Sequence, residues 1–193
     1  TSTGLMIENV IIQNFNINNS IIGFQGESPA QINDTIITNN TVVDTVGPSN
    51  PAALINCGTG ASVVLEESVV ITKNTLKSYG SVFLLGNASN PKILIRGAKI
   101  YENTLENGYA LFNRNDNTTC QYYVSGNAYI YDNVNAEGEQ RNAFLMNSDA
   151  RYNTDAYLMS VAGQLGPDAK IGICAETLPS TAAEYAVIEI EKK

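Results

Sequence analysis

A length of 193 residues with 44% hydrophobic side chains allows one domain with a continuous core, and no apolar run approaches the ~20 residues that a membrane helix needs. The 19 acidic against 11 basic residues leave a net charge of -8, a field that repels phosphate and so argues against nucleic acid and anionic membrane surfaces as partners. The absence of histidine removes the commonest general base, the Ser-His and Cys-His nucleophiles and most transition-metal sites, so neither a metal nor a cofactor is expected.

The first strand-like stretch, Val10-Ile11-Ile12-Gln13-Asn14-Phe15, introduces a pattern that returns four times, at residues 35–42, 68–76, 97–105 and 127–135. Aligned on one asparagine, the five copies place Asn14, Asn40, Asn74, Asn103 and Asn133 in register, at spacings of 26, 34, 29 and 30 residues. Three positions earlier stands Ile11, Ile37, Ile71, Ile100 or Ile130. Between these copies run further short apolar stretches, such as Ile21-Ile22-Gly23-Phe24, Val63-Val64-Leu65, Val82-Phe83-Leu84-Leu85 and Ile93-Leu94-Ile95. Stretches of that length, bounded by Gly, Asn, Asp and Ser, suit strands, and no window carries a helical spacing. Three of them per period of roughly 30 residues predict an all-β chain: a single parallel β-helix of about six three-strand coils over residues 1–175, with 176–193 as a C-terminal strand or cap.

Asparagine suits the register position because it tolerates the left-handed turn region at low cost, and its amide can bond to the same group in the coil above and below. Asn14, Asn40, Asn74, Asn103 and Asn133 are therefore expected to form a structural ladder, with Gln13, Asn39, Lys73, Glu102 and Asp132 as solvent-facing turn positions. Towards the end of the chain, Ala169-Lys170-Ile171 repeats Ala98-Lys99-Ile100, but Cys174 stands where the next asparagine would fall. The ladder is expected to stop there, in a modified coil that covers the end of the core. Cys57, Cys120 and Cys174 form no CxxC pair and read as small buried apolar residues, with one disulfide left open. Without an initiator Met or leader pattern at Thr1, and with a strand-like Val187-Ile188-Glu189-Ile190 near the other end, the chain reads as part of a longer one.

The repeated Ile-x-x-Asn-Thr coil resembles the right-handed β-helix, or pectin-lyase-like, superfamily, and in particular the β-helical regions of large surface proteins of anaerobic gut bacteria. The resemblance covers roughly residues 7 to 175 and is specific for fold, not for function. It implies an extracellular or cell-surface location and a structural or adhesive module with a glycan or host-surface partner. It also raises a carbohydrate-active enzyme, a polysaccharide lyase or glycoside hydrolase acting on acidic polysaccharide.

Enzymatic hydrolysis would need carboxylates clustered about 5 to 9.5 Å apart. The candidates are Asp116 and Asp149 with Arg114 and Arg151, in loops expected on adjacent coils, with Arg141 and Asp155 nearby; a surface ion-pair patch explains the same residues. For ligand binding, Tyr101 and Tyr131 each precede a ladder asparagine by two residues and are expected side by side on an outward face, where aromatic rings can pack on sugar C–H surfaces or simply on each other.

Overall fold

The computed structural model describes residues 4–27, 29–45, 47, 52–86, 91–106, 111–114, 121–145, 159–175 and 188–190. Every strand pairing in them is parallel, apart from one isolated antiparallel bridge between Val134 and Gln140, and the strands form a β-solenoid. Sheet A stacks Leu5–Glu8, Pro29–Asn33, Ser62–Leu65, Lys92–Arg96, Gln121–Gly126, Met159–Leu165 and Ile188–Ile190. Sheet B stacks Ile11–Gln13, Ile36–Thr38, Val70–Thr72, Lys99–Tyr101, Tyr129–Tyr131 and Lys170–Ile171. Sheet C stacks Asn16–Ile17, Thr41–Val43, Thr75–Lys77, Thr104–Glu106 and Val134–Asn135. Sheet D stacks Ile22–Phe24, Ala53–Cys57, Ser81–Leu85 and Phe112–Arg114, and beyond it Ala143–Leu145 pairs separately with Ile173–Ala175.

Two expectations are corrected by this topology. A coil has four strands rather than three, because each Ile-x-x-Asn-Thr segment is broken by a bend into a strand of sheet B and a strand of sheet C. Six equal coils are not supported either: all four ladders run together only across the three returns that join the four strands of sheet D.

Alternation within these short strands builds the core. Ile32, Leu65, Ile95 and Val124 point inward from sheet A, Ile37, Ile71, Ile100 and Ile130 from sheet B, and Val42, Leu76 and Leu105 from sheet C, all fully buried. Sheet D supplies the aromatic part, where Phe83 and Phe112 stack at 5.4 Å and Tyr122 meets Phe112 edge-on at 5.1 Å. The Tyr122 hydroxyl, buried with its ring, donates to the Asn113 carbonyl. Each of these aliphatic or aromatic side chains contributes about 1.5–3 kcal/mol by leaving water. Cys57 belongs to the same core as a free thiol, and burial pushes its pKa up to about 12, which leaves it inert. The Cys120 side chain and that of Cys174 lie outside what the structure describes.

The bend between sheets B and C divides its two tasks between two residues. The residue in the left-handed region is the one before the ladder asparagine: Asn39 (φ 54°), Lys73 (φ 57°), Glu102 (φ 54°) and Asp132 (φ 57°). The asparagine itself does the bonding. Asn74 Oδ1 accepts both the Asn40 N–H and the Asn40 side-chain amide, each at 3.0 Å. Asn103 Oδ1 does the same for Asn74 at 3.1 and 2.9 Å, and Asn133 Oδ1 for Asn103 at 3.2 and 2.9 Å. Each amide nitrogen also donates to the carbonyl of the core isoleucine one coil earlier, so Asn40, Asn74, Asn103 and Asn133 reach Ile12, Ile37, Ile71 and Ile100. The left-handed residue is thus the one before the ladder asparagine and not, as expected, the asparagine itself.

Asn14 is not a ladder member. Ile12, not Ile11, pairs with Ile37, so Phe15 falls at the ladder position and donates its N–H to Asn40 Oδ1 at 3.0 Å. Asn14 occupies the left-handed position (φ 63°) and is exposed. A one-residue slip turns every side chain of a strand to the opposite face. Ile11 is accordingly 64% exposed while Ile12 packs on the core.

At the other end the ladder closes on a residue that no coil spacing points to. After Asn135 the chain turns back on itself: the Asn135 N–H donates to the Glu139 carbonyl and the Arg141 N–H to the Asn133 carbonyl. This return brings Asn142 over Asn133, and Asn142 Oδ1 accepts the Asn133 N–H at 2.9 Å and its side-chain amide at 3.0 Å. The next coil then bypasses sheet C. Gly172 donates to the Ile130 carbonyl and accepts from the Ala143 N–H, so the chain crosses directly over the buried Asn142. Cys174 lies beside Phe144 in the backbone register and not in the ladder. No helix in the described residues is long and apolar enough to cross a membrane.

Candidate ligand-binding face

The outward side of sheet B carries two columns of side chains, fixed by the same alternation that buries its isoleucines. One column runs Ile11, Ile36, Val70, Lys99, Tyr129, Lys170. Beside it run Gln13, Thr38, Thr72, Tyr101 and Tyr131, and Gly172 follows Tyr131 where the next coil crosses. The first coils present aliphatic and threonine side chains, and the later ones present tyrosine and lysine.

Tyr101 and Tyr131 are adjacent and half-buried on this face, as expected from their common offset from the ladder. Tyr129 joins them. Its ring meets Tyr101 edge-on at 6.1 Å, with planes 87° apart, and Tyr131 at 6.4 Å, with planes 66° apart. Above them the Lys170 ammonium sits 3.4 Å from the Tyr131 ring centroid and 5.7 Å from that of Tyr129, where the negative ring face attracts it. Gly172 makes room for this arrangement, since a Cβ there would lie 3.0 Å from Tyr131 Cδ2 and 2.5 Å from Asn142 Nδ2.

The rim towards sheet C is acidic. The Tyr129 hydroxyl donates to Asp132 Oδ2 at 3.3 Å, and loss of solvent followed by the Asp132 charge raises the Tyr129 pKa above its ordinary value. Glu102 is placed 3.9 Å from Lys73. Both are exposed, and an ion pair of this kind adds little stability.

A groove of about 310 Å³ follows the turn from sheet A to sheet B and includes Glu66, Glu67, Arg96 and Asn127. Its polar groups already satisfy one another: Glu66 accepts from Gln31 at 2.6 Å and from Arg96 at 3.2 Å, and Glu67 accepts from Asn127 at 3.1 Å. That pairing makes the groove a brace between coils. Among the described residues no group of three acidic or cysteine side chains could hold a metal ion.

The expected catalytic candidates are not brought together in the described residues. Asp116, Asp149, Arg151 and Asp155 lie outside them, and Arg114 is placed by its backbone at the end of a sheet D strand. Arg141 is engaged locally, 2.9 Å from Glu139 in the loop that carries Asn142. Tyr129 and the two lysines are not among the expected site residues, although the sequence marks them: Tyr129 shares its face with Tyr131 by period-two alternation, and Lys99 and Lys170 hold the same place in two copies of Ala-Lys-Ile. Comparison of the chain with protein-family models, with curated proteins and with solved structures finds no match.

Proposed function

We propose that this chain is a structural and adhesive module of a secreted or cell-surface protein, a right-handed, pectin-lyase-like β-helix that presents its sheet B face to glycan on a host or neighbouring surface. One observation carries the reading: Tyr101, Tyr129 and Tyr131 stand on an outward strand face, half-open to solvent, whereas Phe83, Phe112 and Tyr122 are buried in the core. Aromatic side chains on a regular, rigid surface provide contact area for sugar C–H faces at small entropic cost. The rod places that face on strands braced by a hydrogen-bonded ladder, which holds it in shape without a ligand.

The test is a glycan array probed with the wild-type protein and with the double variant Tyr101→Ala/Tyr131→Ala. Binding by the wild type and its loss in the variant, with unchanged thermal unfolding, is the expected result. Equal binding by both removes the tyrosine face from the proposal. Release of unsaturated or reducing ends from uronate polymers by the wild type would replace the adhesive reading with the enzymatic one.

A further inference from the structure

The chemistry of the ligand follows from what surrounds the tyrosines, on the basis of the glycan reading above. The two outward columns of sheet B contain two cations, Lys99 and Lys170, and no carboxylate, in a chain whose net charge is -8. Neither lysine has an ion-pair partner among the described residues, whereas Lys73, Lys77, Arg96 and Arg141 each lie within 4.0 Å of a glutamate. The acidic groups nearby are confined to the turns, Glu102 and Asp132 three residues further along the strand direction than Lys99 and Tyr129, and Glu67 and Asp168 in the turn from sheet A that precedes the column. Charge is therefore separated across one face, with cations on the sheet and anions on its rim.

Tyr131 contributes to the charge more than to a sugar platform. Its ring face is occupied by the Lys170 ammonium at 3.4 Å, so it holds a cation in place, while Tyr129 carries the aromatic surface between that cation and Lys99, with Tyr101 edge-on to it on the strand of Lys99. Tyr129 separates the two lysines in the ladder register, one coil from each. Their backbones are consequently about 10 Å apart along the rod, two steps of the parallel strand spacing.

We infer that this face takes an anionic saccharide, a sulfated or carboxylated glycan laid along the rod axis, with Lys99 and Lys170 meeting its charged groups on either side of Tyr129. An ammonium held on an aromatic ring is less free to swing into solvent, which lowers the entropy lost when an anion binds. Glu102 and Asp132 repel the same anion and confine it to the lysine column.

The experiment measures binding of the full chain to immobilised sulfated, uronic-acid and neutral oligosaccharides of equal length, with the variants Lys99→Gln and Lys170→Gln singly and together. Preference for one or both anionic classes, a loss of roughly tenfold or more in the double variant, and weakening with added salt are expected. The sulfated and uronic-acid arms identify which anion is bound. Binding of neutral and anionic sugars alike, or anionic binding untouched by the double variant, overturns this inference and leaves glycan adhesion standing. Binding to no saccharide removes adhesion and this inference together. Thermal unfolding of the glutamine variants, expected to match the wild type because both lysines are exposed, separates a lost contact from a lost fold.

Discussion

The middle coils and the last ones use the same asparagine device and end it differently. Between Asn40 and Asn133 every ladder amide finds its acceptor one full coil later, 29 to 34 residues along the chain. Asn133 finds its acceptor only nine residues later, in Asn142, because the chain folds back after Asn135 instead of continuing into another strand of sheet C. A ladder of buried donors must finish on an acceptor, and a stack of coils cannot supply one at its own end. Closing it locally allows the following coil to step from Lys170–Ile171 straight to Ile173–Ala175 over Gly172. The step leaves Lys170 above Tyr131, so the regular part supplies the rigid surface with Lys99 and the irregular part adds the second cation.

The strongest way to break the comparison is Asn74→Ala. It leaves the buried Asn40 N–H and the Ile37 carbonyl without their partners, and each such group costs about 1–3 kcal/mol, so a loss of roughly 3–5 kcal/mol in urea unfolding is expected. Asn142→Ala removes an acceptor from one neighbour only, and a loss of roughly 2 kcal/mol is expected by the same measurement. A cost equal to that of Asn74→Ala would mean that the closure is as integral as the middle of the ladder. Gly172→Ala pushes a methyl group against Asn142 and Tyr131, and overpacking of that kind costs about 1–3 kcal/mol. It should also weaken saccharide binding by displacing Tyr131 from under Lys170, a link that the structural role alone would not produce. The smallest effect is expected at the opposite end. Phe15→Asn places an amide at the ladder position beside Asn40 in exchange for a ring that is 53% exposed, and a gain of about 0.5–1 kcal/mol is expected in thermal or urea unfolding. No gain would show that the ladder needs a closed coil on both sides of each asparagine.

Much of this architecture was legible from spacing. The isoleucines at 37, 71, 100 and 130 and the asparagines three residues later are recognisable because each must repeat once per coil to meet its own kind. The first copy aligns one residue out of register in the sequence because Ile11 and Ile12 are chemically identical and an asparagine happens to follow at 14. Only pairing with Ile37 decides which isoleucine faces inward. The fourth sheet left no mark because a single left-handed residue, such as Lys73 or Glu102, divides sheets B and C without any change of composition. Asn142 was illegible for a different reason: it joins the ladder through a chain reversal, outside any period.

On the candidate face, Tyr101 and Tyr131 could be placed side by side from their shared offset to the ladder. The repeat of Ala-Lys-Ile could have drawn Lys99 and Lys170 towards them. What spacing could not reveal is that Lys170 lies over the Tyr131 ring, since that depends on the following coil passing at Gly172. By itself, then, the sequence determined a parallel coil, its inward isoleucines, and the identity of four ladder asparagines, because repetition along the chain is the condition for stacking. Only the tertiary structure decided the register of the first coil, the number of sheets, the closure of the ladder and the charge on the tyrosine face, because each of these depends on which residues meet across coils and not on the order in which they occur.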